Sequence, residues 1–134
     1  MLFLDTNVFI RHLTSDHPDH SRRALAFFDR ILVEEIEATT SEVVIAEMVH
    51  VLSSKVYEVA RGDIAEAIST LLELPNLKMP HRQVYLEALA CYGTSRLDFA
   101  DCLNVSHMRR QGITEIVSFD HDFDQFPDII RVEP

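Results

Sequence analysis

The chain has 134 residues, of which 47% are hydrophobic and 25% charged, and a formal net charge of −10. That size fits a single domain, residues 1–134, large enough to bury a core. The charge argues against a protein that coats nucleic acid by bulk electrostatics, and no apolar run approaches the roughly 20 residues a bilayer span requires.

Met1-Leu2-Phe3-Leu4 is too short for a signal h-region and stops at Asp5, so the expected location is the cytoplasm. Residues 2–5 are apolar up to Asp5 and predict a short buried strand of a parallel sheet. A helix over 7–14 follows, capped by Thr6 or Asn7. Pro18 suits a first helical turn and opens a second helix to about Val33. Residues 36–39 predict the second strand. Ser41 caps a helix over 42–56, apolar at Val44, Ile45, Met48, Val49, Val51 and Leu52. Gly62 or Asp63 opens the next helix, with Ile64, Ile68, Leu71 and Leu72 on one stripe. Leu77-Lys78-Met79 is a candidate third strand, and helices over 82–93 and 98–111 follow, the latter ended by Gly112. Residues 115–118 form the fourth strand and 129–132 a fifth at the edge. Strands alternating with helices imply an α/β domain with a central, mostly parallel sheet of four to five short strands flanked by helices. Cys91 and Cys102 show no metal-ligand or redox spacing and read as reduced thiols.

Asp5, Glu47, Asp101 and Asp120 each interrupt or end a hydrophobic stretch. A carboxylate withdrawn from water is costly unless a cation or donors satisfy it. Asp5 and Asp120 stand just past the ends of two strands, on the rim where ligands gather in open parallel sheets. Glu47 has Val43, Val44 and Val51 one turn away, and Asp101 has Leu97 and Val105, so both are expected to face the sheet or its rim. Hard oxygen ligands of this kind suit Mg²⁺ or Mn²⁺. Such a site can activate water and stabilise charge on a phosphodiester.

At these residues the chain resembles the PIN-domain ribonucleases, and among them the VapC-type toxins of toxin–antitoxin pairs. The matching segments are Leu4-Asp5-Thr6-Asn7-Val8, Val44-Ile45-Ala46-Glu47 with Val51-Leu52, Leu97-Asp98-Phe99-Ala100-Asp101-Cys102-Leu103, and Ser118-Phe119-Asp120-His121-Asp122-Phe123. The resemblance covers essentially the whole chain. It implies a PIN-like α/β fold and Mg²⁺- or Mn²⁺-dependent cleavage of RNA. It further implies that Asp5, Glu47, Asp101 and Asp120 form the catalytic, metal-binding quartet, with Asp5 and Asp101 the firmest ligands. Thr6, Asn7 and Ser118 match supporting positions. Asp98 shares a helix face with Asp101, so either could be the principal helical ligand, and Asp122 is an outer acid beside Asp120. A VapB-type antitoxin partner and a homodimer are also implied.

Each acid has a plainer reading too. Asp5 and Asp98 could be helix caps, and Asp120 could merely begin a turn. A haloacid dehalogenase-type phosphatase also uses an Asp after its first strand, but it needs a second Asp two residues on, where this chain has Asn7. A non-catalytic, partner-binding PIN-fold domain is the other alternative. Arg11, Lys55 and Arg96 are candidates for steering RNA, and the sequence does not choose among them.

Overall fold

The computed structural model describes residues 1–134. In chain order it contains β1 (Leu2–Phe3), α1 (Thr6–Leu13), α2 (Pro18–Leu32), β2 (Ala38–Thr39) and α3 (Glu42–Ser53). Then come α4 (Arg61–Leu72), α5 (Arg82–Thr94), α6 (Phe99–Gln111), β3 (Glu115–Val117), a 3-10 turn (His121–Gln125) and β4 (Ile130–Val132). All strand pairing is parallel, in keeping with an α/β domain. No helix is long and apolar enough to cross a membrane.

The helix boundaries follow local chemistry. Pro18 sits in the first turn of α2, where its missing N–H costs nothing. The Ser41 hydroxyl accepts from the Val44 N–H and opens α3. That helix stops at Ser53, short of the expected 56, because the next residue leaves helical geometry and its hydroxyl bonds the Val51 carbonyl at 2.6 Å. Gly112, at φ 70°, takes the left-handed conformation and returns its N–H to the last turn of α6. The cap of α1 is Asp5 rather than Thr6 or Asn7.

Helices carry most of the core. Val44, Ile45, Met48, Val49 and Leu52 of α3 are buried, as are Ile64, Ile68 and Leu72 of α4 and Val84, Ala88 and Leu89 of α5. α4 and α5 approach so closely at Gly93 that an added Cβ would lie 2.8 Å from the Ala65 Cβ. Arg61 reinforces this corner, donating to the Tyr92 and Leu97 carbonyls with its guanidinium 3.8 Å from the Tyr92 ring centroid.

The strands are shorter than their apolar runs suggest, and they pair in two separate couples, β1 with β2 and β3 with β4. The expected third strand is reduced to a bridge between Ala38 and Leu77, flanked by Lys78 N–H to Ala38 C=O at 2.7 Å. β1 was expected to be buried, yet Leu2 and Phe3 are 48% and 62% exposed and only Leu4 enters the core. β1 is only two residues long, and Leu2 and Phe3, which point to opposite faces, both remain largely exposed.

Candidate metal centre

The N-terminus of α6 and the turn after β3 bring three carboxylates together. One oxygen each from Asp101, Asp120 and Asp122 lies within 4.8 Å of the others. Asp101 occupies the first turn of α6, half-buried, while Asp120 and Asp122 are exposed. Its carboxyl is held above the usual carboxylate range, first by burial and then by repulsion from Asp120, Asp98 and Asp122. A helix N-terminus favours anions, but here desolvation and three neighbouring acids outweigh it.

Hydrogen bonds position the Asp120 side of this cluster. The Ser118 hydroxyl accepts from the Asp120 N–H at 2.9 Å, and Asp120 Oδ1 accepts from the Asp122 N–H at 2.9 Å. Asp120 therefore does open a turn, as its plainer reading holds, while the same carboxylate also faces Asp101 and Asp122. Asp98 stands at the N-cap of α6, and Asp5 at that of α1. Neither makes a side-chain capping bond. Capping therefore does not explain these two residues.

Asp5 and Glu47 are not among the three clustered carboxylates. Glu47 is instead tied to the residue that follows Asp5. The buried Thr6 hydroxyl donates to Glu47 Oε2 at 2.5 Å, linking α1 to α3, and Asp5 is the adjacent residue. Thr6 thus supports Glu47 rather than Asp5. Asn7 is exposed.

Glu47 is also exposed, contrary to the expectation that it faces the sheet. Its neighbour one turn back, Val43, is 73% exposed, so this stripe of α3 marks the edge of the buried face. Asp5 and Asp120 are likewise exposed, and of the four acids only Asp101 is withdrawn from water.

One supporting residue escaped the sequence reading. Arg131 of β4, with a side chain only 11% exposed, donates to the Ser118 carbonyl at 3.1 Å and pairs with Asp124 and Glu133. It ties the segment carrying Asp120 to the neighbouring strand. The available signal was an arginine inside a strand otherwise apolar at Ile129, Ile130 and Val132.

The three clustered acids offer only oxygen donors at short mutual range, which fits a hard divalent cation better than zinc. A parallel α/β frame with acids gathered beyond its strand ends defines the class, and the comparisons agree. The sequence model of the PIN domain matches residues 2–129, and the chain belongs to the PIN-domain family. It is 30% identical over 125 residues to a VapC ribonuclease of Aquifex aeolicus (strain VF5), covering 92% of this chain and 90% of the relative, which aligns it with the VapC type.

Proposed function

We propose that this protein is a divalent-metal-dependent endoribonuclease and the toxin of a VapBC-type pair. The observation that carries the reading is the grouping of Asp101, Asp120 and Asp122 within 4.8 Å, with the Asp101 carboxyl pushed upward by burial first and by its acidic neighbours second. Mutual repulsion of this kind is relieved by a shared cation. Family membership and the similarity to a VapC ribonuclease support the nucleic-acid chemistry. They also count against the phosphatase alternative, as does Asn7.

In this reading Asp5, Asp101, Asp120 and Glu47 are the catalytic and metal-binding residues. Asp98 and Asp122 are supporting acids, and Thr6, Asn7 and Ser118 are supporting polar residues. Mg²⁺ or Mn²⁺ held there supplies activation of water and charge neutralisation at the scissile phosphate. The chain's own part is positioning. Ser118 and the Asp122 N–H fix Asp120, and Thr6 occupies one Glu47 oxygen and leaves the other free to orient a water. Water adds across the P–O3′ bond, its oxygen joining phosphorus and a proton passing to the leaving 3′-oxygen. The products carry 5′-phosphate and 3′-hydroxyl ends. A VapB-type antitoxin and a second copy of the chain are the proposed protein partners.

The test is cleavage of a mixed RNA substrate by the purified chain. Activity should require Mg²⁺ or Mn²⁺, stop with EDTA, and vanish in Asp5→Asn and Asp101→Asn proteins that remain folded. Cleavage at the wild-type rate by either variant would remove that residue from the assignment, and metal-independent cleavage would end the metal reading.

A further inference from the structure

Among the surface cavities of the structure, one brings two arginines together within reach of α1, the helix that follows Asp5. It lies between α1 and α2, has a volume of about 510 Å³, and is lined by Asn7, Arg11, His20, Arg23 and Phe27 among others. Of the three cations proposed from sequence to steer RNA, Arg11 alone lines a cavity. Asn7 and Arg11 are four residues apart and share one face of α1, which begins next to Asp5. The cavity wall thus begins at Asn7, two residues after Asp5.

The two arginines have donors to spare. Arg11 lies 3.5 Å from Asp16 and 3.4 Å from the Tyr57 hydroxyl, and Arg23 lies 3.7 Å from Asp19. These distances exceed a well-formed charge-assisted bond of about 2.7–2.9 Å, so neither fork is saturated by its carboxylate. The Arg11 side chain is 22% exposed and braced by α1, whereas that of Arg23 is 73% exposed and free to swing. A half-buried phenyl ring, Phe27, completes the wall and offers a surface on which a base can stack.

We propose that this cavity is a subsite for an RNA phosphate flanking the scissile bond, with Arg11 and Arg23 as its two cationic contacts. The inference rests on the nuclease reading above and deepens it. On a chain of net charge −10, a pocket holding two unsaturated arginines on the helix that follows Asp5 and its neighbour α2 supplies the local attraction that the global field denies to a polyanion. The planar guanidinium also matches phosphate geometry, which a lysine at the same place would not. An acidic protein segment is the competing occupant. RNA is favoured because the cavity wall starts two residues from Asp5.

The experiment measures binding of a fluorescein-labelled single-stranded RNA by anisotropy, in EDTA so that no cleavage occurs, between about 50 and 200 mM salt. Arg11→Gln and Arg23→Gln should each flatten the log affinity against log salt slope by about 0.7, equivalent to about fivefold in affinity at 0.1 M salt relative to 1 M. Arg110→Gln, an exposed position on α6, serves as the control and should leave the slope unchanged. Arg11→Lys, which keeps the charge if loss of the Tyr57 contact disturbs folding, should retain the slope and lose affinity. With Mg²⁺ present, the Arg→Gln variants should raise KM and preserve kcat. Wild-type slope and KM in both would overturn the subsite. So would Arg23-dependent binding of an oligoglutamate peptide with no such dependence for RNA. Arg23-dependent RNA binding by a wild-type chain that never cuts would overturn the nuclease reading and leave the subsite standing. A chain that neither binds nor cuts RNA overturns both.

Discussion

Replacing Asp101 by Asn should stabilise the metal-free protein while abolishing its activity. The Asp101 carboxyl is raised from its ordinary value of 3.8, so its ionised form is worse off folded than unfolded. Between 3.8 and the raised value the folded state therefore binds more protons than the unfolded state, and stability falls as pH rises through that window. Above the raised value the penalty is fully present. The part owed to Asp120 and Asp122 follows from the geometry: two carboxylate pairs at up to 4.8 Å repel by about 1 kcal/mol each at the dielectric of water. Exposure of Asp120 and Asp122 and added salt reduce this, leaving about 1–2 kcal/mol in low salt. Asp101→Asn removes both repulsions with little change in shape, so the metal-free Tm should rise by about 3–6 °C. Mg²⁺ at a hundred times its Kd should then stabilise the wild type by about 2.7 kcal/mol and the variant far less, reversing their order. Differential scanning calorimetry in EDTA and in Mg²⁺ reads both effects. An unchanged or lowered metal-free Tm in Asp101→Asn, or equal gains from Mg²⁺ in both proteins, would refute the reasoning.

Thr6→Val keeps the buried shape but frees Glu47 from its donor, and kcat/KM for RNA should fall by about 10–100-fold with little change in Tm. Gly93→Ala should lower Tm, because overpacking against Ala65 costs about 1–3 kcal/mol against roughly 1 kcal/mol of improved helix propensity. Gly62→Ala in α4, with nothing within 4 Å of an added Cβ, should raise it instead. Burial holds the His12 imidazole below its ordinary value of 6.5, and its Nδ1 has no hydrogen-bond partner. Below about pH 6.5 the unfolded chain therefore takes up a proton that the folded chain declines, and stability should fall as the pH drops. Thermal melts across about pH 7.5 to 5.5 should show this slope in the wild type and lose it in His12→Leu.

The helices were legible because their signals are local. Pro18, Ser41 and Gly112 act within one turn, and the structure places them where their chemistry predicts. The strands were not, because apolar runs such as Leu2-Phe3-Leu4 report hydrophobicity without reporting which edges find partners. Strand pairing is decided by tertiary packing, and here it leaves Phe3 and Val117 outside the core. In the candidate site, the rule that ligands gather at strand ends put Asp5 and Asp120 on one rim, whereas the structure gathers Asp120 with the helical Asp101 and with Asp122, a full neighbour. The exposure of Glu47 was misjudged because Val43 and Val51 imitate a buried face. The Thr6–Glu47 bond spans 41 positions and depends on how α1 crosses α3, which no spacing within either helix encodes.

The division of the strands into two couples has a mechanical consequence. Asp5 leaves one couple and Asp120 leaves the other, and no ladder hydrogen bond joins β1 to β3. The spacing of those carboxylates is therefore set by helix packing and side-chain contacts and not by a backbone rung. Any ligand gripping both acids would act as a cross-brace, stiffening the molecule along the line where its own pairing is interrupted.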